Sequence, residues 1–365
     1  MPAYINAIAT AVPPHDVHDV YLRFAERRLP AREANLFRRM AERAGIAHRY
    51  SVLAPAETGD ALDREGLFAP GGFAGTARRM AVFAREAPVL AEAAVAGLDA
   101  GAQRSGVTHL VLATCTGFVA PGVDQILCER LGLGPDVERT VVGFMGCAAA
   151  VNALRVAHHI VRSEPDATVL VVNVELCTLH LQDTVDLEAT LMAMLFGDGA
   201  SAAIVSARPE GLLLRDFRSV TIPGSEDLIT WRIGNAGFDM ALSGEVPARI
   251  ESALRHEPAR AGQGLLRGDG PGDVSLWAVH AGGRTILDAV QHGLALPGDA
   301  LVRSRGVLRD YGNMSSPTLM FVLERMLREG GESAPGFAMA FGPGLVAETF
   351  RFERLAAAGR MQAAA

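Results

Sequence analysis

The sequence predicts an α/β fold built in layers. Two observations carry this expectation. Short, nearly continuous apolar runs recur along the chain, as in strands covered on both faces. Between them lie longer stretches whose apolar residues recur at helical spacing. Hydrophobic residues make up 49% of the 365 and charged residues 21%, so the chain can bury a sizeable core, as one large domain or about two smaller ones.

In chain order, the apolar runs at 4–9, 109–113, 140–145, 168–174, 200–205, 274–279 and 337–341 read as buried strands. The stretches 81–97, 148–162, 284–293 and 317–329 read as helices, the last with Pro317 at its first position, where a missing N–H costs nothing. The segment 53–78, rich in Gly, Pro and Ala, reads as a surface connection, and the Gly-rich 261–273 as a second loop. The tail 356–365 reads as frayed. A seam is expected near 207–211, where Pro209 follows a strand, dividing the chain into 1–208 and 209–365.

All 34 basic side chains are Arg, because the sequence contains no Lys. Schiff-base, pyridoxal-phosphate and phosphate-loop chemistry are excluded, since each needs an amine. Any phosphate must be held by Arg forks, backbone N–H groups or helix N-termini. A net charge of −7 argues against nucleic acid or an anionic membrane as partner. No apolar run reaches the roughly 18 residues of a membrane span, and the first residues show no basic leader. The four cysteines, Cys115, Cys128, Cys147 and Cys177, form no CxxC pair and read as reduced thiols. These features predict a cytoplasmic protein.

Three places carry candidate chemistry. In 142–150 an apolar strand ends at Gly146 and a helix begins, putting Cys147 at a helix N-terminus. There the dipole and unpaired N–H groups favour a thiolate, although free cysteines are commonly buried and inert. His280 ends an apolar strand and is followed by Ala281-Gly282-Gly283, a placement that suits a base or a satisfied core histidine. Asn313, in Tyr311-Gly312-Asn313-Met314-Ser315-Ser316, suits a cap or turn, or an amide donor to an oxyanion. Together, Cys, His and Asn allow acyl transfer through a thioester. The same triplet also fits cysteine proteases and amidases.

Several strings resemble the type III polyketide synthases, the chalcone and stilbene synthase family, over nearly the whole chain from Ile5 to about Glu353. In order they are Cys115-Thr116-Gly117 with Pro121-Gly122, Gly146-Cys147, and Leu195-Phe196-Gly197-Asp198-Gly199-Ala200. Then come His280-Ala281-Gly282-Gly283, Gly312-Asn313-Met314-Ser315-Ser316 and Phe341-Gly342-Pro343-Gly344. Each alone is weak; the ordered set is specific.

The resemblance implies a thiolase-like αβαβα fold of two similar halves, layered helices and mixed sheets. The N-terminal half would carry the nucleophile and the C-terminal half His280 and Asn313, in a homodimer. It implies that Cys147 carries the acyl group, taken from an acyl-CoA starter, while His280 and Asn313 bind and decarboxylate malonyl-CoA. His280 would also keep Cys147 as a thiolate in an imidazolium pair. Phe196 matches an aromatic beside the cysteine whose apolar surface favours carboxylate loss. Repeated Claisen condensations and cyclisation would give a pyrone, resorcinol or other phenolic product. CoA thioesters are the substrates, and no metal or bound redox cofactor is implied.

Arg39 and Arg43, four apart on one helix face, match two basic positions of the family's CoA-phosphate segment, and Leu36 stands where a third is usual. Cys115 replaces a plant Thr, as in bacterial tetrahydroxynaphthalene synthases. His180 occupies a further cavity-lining position. Met240 aligns with a gatekeeper aromatic, with Phe238 two residues away. Ala120 matches a side chain donated across the dimer interface, and Ala340 replaces the first Gly of a GFGPG string. Two related alternatives share the triplet: a ketoacyl synthase of the type III fatty-acid class, condensing once onto a carrier protein, and a non-catalytic thiolase-like partner subunit.

Overall fold

The computed structural model describes residues 1–57, 61–69, 71–98, 106–256, 264–266 and 270–356. In the N-terminal part the elements are β1 (Ala3–Ala11), β2 (His15–Asp16), α1 (His18–Arg28), α2 (Ala31–Ala44), β3 (Tyr50–Ser51) and α3 (Thr76–Ala96). Next come β4 (His109–Thr114), α4 (Val123–Leu131), β5 (Glu138–Gly143), α5 (Ala149–Ser163), β6 (Val169–Leu176), α6 (Leu187–Leu195) and β7 (Asp198–Ser206). The remainder is β8 (Leu212–Thr221), β9 (Ile229–Gly234), β10 (Gly237–Leu242), α7 (Val246–Arg255) and β11 (Leu276–Val279). It ends with α8 (Arg284–Gly293), α9 (Val302–Tyr311), α10 (Pro317–Glu329), β12 (Ala334–Gly342) and β13 (Val346–Arg354).

Nine strands join in the order β11-β12-β13-β8-β1-β7-β6-β4-β5. The sheet is mixed: β4 runs parallel to β5 and β6, and β11 to β12, while the other neighbours are antiparallel. Its two stretches meet where Ala3, Tyr4 and Ile5 pair with Leu214, Leu213 and Leu212.

The alternation of side chains along each strand builds the layers. Val111 and Ala113 of β4 share a core with Val151 and Leu154 of α5 and Leu319 and Leu323 of α10. Ala278 of β11, Ala338 of β12 and Phe350 of β13 enter that same core from the other stretch. The two helices therefore lie between the two parts of the sheet, which explains why 149–151 are all fully buried. Leu110 and Leu112 point the other way, into a core with Val82, Phe83 and Leu90 of α3. Trp277 and Val279 pack outward against Leu287 and Val290 of α8. The order is helix, sheet, helix, sheet, helix, as the thiolase-like expectation requires.

Three expectations change. The run 140–145 is neither buried nor a strand to its end. β5 is the last strand of the sheet, exposed from Glu138 to Val141, and it stops because Phe144 turns left-handed at φ 56°. The segment 53–78 is not simply surface. Leu53, Leu67 and Phe68 are buried, the Asp63 carboxylate accepts from the N–H groups of Leu67 and Phe68, and α3 already starts at Thr76. The strand expected from 274 begins at Leu276, after a 3-10 turn at Pro271–Asp273. Of the loop 261–273, residues 261–263 and 267–269 lie outside the described residues, as does 357–365 of the tail; Leu265 and Leu266 are buried.

Candidate active site

Cys147 sits in the 3-10 turn Gly146–Ala148 that leads into α5. The chain reaches it through two left-handed residues, Phe144 and Gly146, each at φ 56°. Gly146 has a second reason to be Gly, since a Cβ there would lie 2.7 Å from Cδ of Pro343. Asn313 and Ser315 precede α10, so the residues ahead of the two central helices converge. The Cys147 Sγ lies 4.0 Å from both side-chain atoms of Asn313. That amide is held on both sides: its Nδ2 donates to the Gly282 carbonyl at 3.2 Å, and its Oδ1 accepts from the Ser315 N–H at 2.8 Å.

His280 extends β11 by one residue, its N–H donating to the Met339 carbonyl. Cys147, His280 and Asn313 line one cavity of about 70 Å³, with Cys115, Phe196 and Met240 among its other walls. The imidazole is 2% exposed, and neither ring nitrogen has a hydrogen-bond partner among the described residues.

No hydrogen bond joins the Cys147 thiol to the His280 imidazole among the described residues. Burial pushes the Cys147 thiol up to about 11, with nearby Glu175 adding to the rise and hydrogen bonds from Ser315 and Asn313 opposing it. Burial alone draws His280 down to about 3. In a largely apolar cavity each charge is costly by itself. Taken one group at a time, burial thus favours the thiol and the neutral imidazole, with Cys147 itself half-buried.

A larger cavity of about 100 Å³ lies beside the first, and Cys177, Phe196, Trp231 and Met240 line both. Met240 thus stands between the cavities. Phe238 lines only the larger one and packs behind it, stacked on His180 at 4.2 Å. His180 is also confined to the larger cavity. Its Nε2 bonds the Thr116 carbonyl at 2.7 Å, and its Nδ1 accepts from the Phe238 N–H at 3.0 Å. Both nitrogens are engaged by backbone, and burial takes its pKa down to about 4.

Arg39 and Arg43 lie exposed on α2 and border neither cavity. The Arg284 guanidinium donates to the Arg43 carbonyl at 2.9 Å, so a third cation stands beside them. Leu36 is 40% exposed on the same helix.

Sequence reasoning missed three wall residues, Trp231, Ser315 and Cys177, and one buried behind the walls, Glu175. Glu175, fully buried, accepts from the Cys115 N–H and the hydroxyls of Thr116 and Ser316. Burial raises its carboxyl to about 7 against those hydrogen bonds. A lone carboxylate in the apolar strand Val169–Leu176 was the available signal. The Trp231 indole donates to the Cys115 carbonyl. Ser315 and Cys177 carried no signal of their own. Among the described residues no group of three or more His, Cys, Asp or Glu side chains could hold a metal ion, and no helix is long and apolar enough to cross a membrane.

The family model for the N-terminal domain of chalcone and stilbene synthases matches residues 2–209, and the model for the C-terminal domain matches 216–356. The chain belongs to the chalcone and stilbene synthase family. Its members are type III polyketide synthases, acyltransferases that condense thioesters with decarboxylation. The alpha-pyrone synthesis polyketide synthase-like Pks18 of Mycobacterium tuberculosis is 35% identical over 370 residues, covering 96% of this chain and 91% of the relative. Bisdemethoxycurcumin synthase of Oryza sativa subsp. japonica is 34% identical, covering 95% and 91%. Among solved structures, the 1,3,6,8-tetrahydroxynaphthalene synthase of Streptomyces coelicolor A3(2) superimposes with a TM-score of 0.84 at 29% identity, covering 97% of this chain and all of that one. PKS-I of the brown alga Ectocarpus siliculosus gives 0.84 at 29%, covering 97% and 98%.

Proposed function

We propose that this type III polyketide synthase loads an acyl group from an acyl-CoA onto Cys147 and extends it with malonyl-CoA. The convergence of Cys147, His280 and Asn313 on one largely apolar cavity supports this reading. With both groups neutral at rest, loading begins as His280 takes the thiol proton while sulfur attacks the thioester carbonyl. The C–S bond of the acyl-CoA breaks, and the proton passes to the leaving CoA thiolate.

Malonyl-CoA then places its thioester oxygen near Asn313 Nδ2 and the His280 imidazole. The bond to the carboxylate breaks, releasing carbon dioxide and leaving an enolate that those two groups stabilise. Phe196 presents an apolar face to the departing carboxylate, which disfavours the charged ground state. The enolate carbon attacks the Cys147 thioester, a C–C bond forms, the C–S bond breaks, and the lengthened chain leaves on CoA. Repetition and ring closure follow.

Arg39, Arg43 and the neighbouring Arg284 are the proposed grip for the CoA phosphates, as forks suited to bidentate contact. The adjoining larger cavity, lined by residues such as Phe24, Leu53 and Phe68, suits an apolar acyl chain that passes Met240. The alpha-pyrone relative makes a pyrone the first product to look for. The division into halves at 1–208 and 209–365 remains part of this proposal. So does a homodimer, for which exposed Phe118, Val141 and Met145 around the uncovered strand β5 are the proposed contact.

The test is to incubate purified protein with carboxyl-labelled malonyl-CoA and a panel of acyl-CoA starters. Carbon dioxide release and a cyclised product by mass spectrometry are expected, with no product from Cys147→Ala. Undiminished product from that variant would overturn the assignment.

A further inference from the structure

Arg49, just before β3, is 2% exposed, yet no carboxylate pairs with it among the described residues. Its Nε donates to His18 Nδ1 at 3.0 Å, and its Nη1 donates to the carbonyls of Phe196 at 2.6 Å and Ala193 at 3.2 Å. The Nη2 has no partner among the described residues. The guanidinium carbon lies 4.9 Å from the centre of the Tyr21 ring. A buried cation served only by neutral acceptors is a costly arrangement. Burial lowers its pKa to about 10, so it still carries its charge at neutral pH.

What it holds gives the arrangement a purpose. Ala193 and Phe196 are at the C-terminal end of α6, where orphan carbonyls and the negative end of the dipole favour a cation. Phe196 is also bridged to Asn313: the Asn313 N–H donates to the Leu195 carbonyl, and the Gly197 N–H donates to the Asn313 carbonyl. Gly312, left-handed at φ 68°, lets the Arg49 stem press close to this bridge. A Cβ on Gly312 would lie 2.8 Å from both Arg49 Cγ and the Leu195 carbonyl oxygen. One side chain thus grips the backbone of Phe196 directly and packs against Gly312, the residue before Asn313. Cys147 and His280 are set by other elements, α5 and β11, and Arg49 bonds to neither.

We infer that Arg49, which borders the larger cavity but not the one that holds Cys147, is a positioning residue for the decarboxylation half of the cycle, fixing Phe196 and Asn313 against Cys147. The inference rests on the two-step reaction proposed above. It separates the steps: loading needs Cys147 and His280, whereas decarboxylation also needs Asn313 and Phe196 in register beside His280. A misplacement of about 1 Å can cost on the order of 100-fold in the affected step.

The experiment compares the wild-type chain with Arg49→Lys and Arg49→Met, measuring each step alone. Loading is followed as mass gain on Cys147 from acetyl-CoA, which puts no long chain in the larger cavity that Arg49 borders, without malonyl-CoA. Decarboxylation is followed as carbon dioxide release from malonyl-CoA. Loading within about two-fold of wild type, with decarboxylation kcat reduced by roughly ten-fold or more, is the expected split. Guanidinium ion at millimolar concentration should return part of the decarboxylation rate to Arg49→Met. Equal loss in both steps, or loss in neither, would overturn the inference. If Arg49→Met does not fold, His18→Leu removes only the Nε acceptor and should show the same split at smaller size; its absence counts equally against the inference. A wild-type chain that neither loads nor releases carbon dioxide would instead sink the proposed reaction.

Discussion

At the scale of single residues, His180 shows how a candidate ligand becomes a fastening. Its Nε2 faces a carbonyl and so carries the hydrogen, while its Nδ1 accepts from an N–H, so the neutral tautomer is set by its neighbours. The ring ties the residue after Cys115 to the hairpin β9–β10, whose Met240 and Trp231 border both cavities. His180→Leu strands the Thr116 carbonyl and the Phe238 N–H in a buried place, at about 1–3 kcal/mol for each group. His180→Gln can donate to one and accept from the other, so it should lose much less. Urea unfolding monitored by tryptophan fluorescence checks this order, and a Leu variant as stable as the Gln variant would refute it.

At the scale of elements, the uncovered strand β5 is the most exposed part of the sheet. Val141 is 48% exposed and Phe118, stacked on Phe144, is 45% exposed, and an edge strand offers unpaired N–H and C=O groups to a second copy. Val141→Arg puts a charge on that edge and should shift the chain from dimer to monomer in light scattering at micromolar concentration. An unchanged mass would remove β5 from the interface. The same strand marks where the sequence misled. Its apolar run predicted burial, because a run of Val and Phe looks alike in a covered strand and at an edge awaiting a partner. The central strands β4, β6 and β7 were legible since neighbours cover both faces. β8 and β13 were not, because Leu212–Thr221 and Val346–Arg354 mix buried and exposed positions. Cys147, His280 and Asn313 were legible from flanking glycines and order. Arg49 and Glu175 act through contacts across more than 100 residues of sequence, such as Arg49 to Phe196 and Glu175 to Ser316; no local pattern announces Arg49, and the lone carboxylate of β6 marks Glu175 without saying what it holds.

At the scale of the whole molecule, the buried titratable groups set the response to acid. Burial takes His18, His158 and His180 down to about 4 and His280 to about 3, against 6.5 for an ordinary imidazole. Between those values the unfolded chain binds protons that the folded chain refuses, so stability falls as pH drops below 6.5. Two carboxyls oppose this. Burial raises Glu175 to about 7 and Asp198 to about 6, so the folded chain binds protons there that the unfolded chain releases, and acidification favours folding. Four imidazoles against two carboxyls leave the unfolded state ahead by roughly two protons near pH 5.5, a slope on the order of 2 kcal/mol per pH unit. The melting temperature should therefore fall steadily from pH 6.5 towards pH 5, in buffers of equal ionic strength. Replacing Glu175 by Gln removes one opposing group and should steepen the fall. A melting temperature that stays level or rises over that interval would mean that the imidazoles are protonated in the folded chain. The picture of a neutral His280 waiting beside a Cys147 thiol would fail with it.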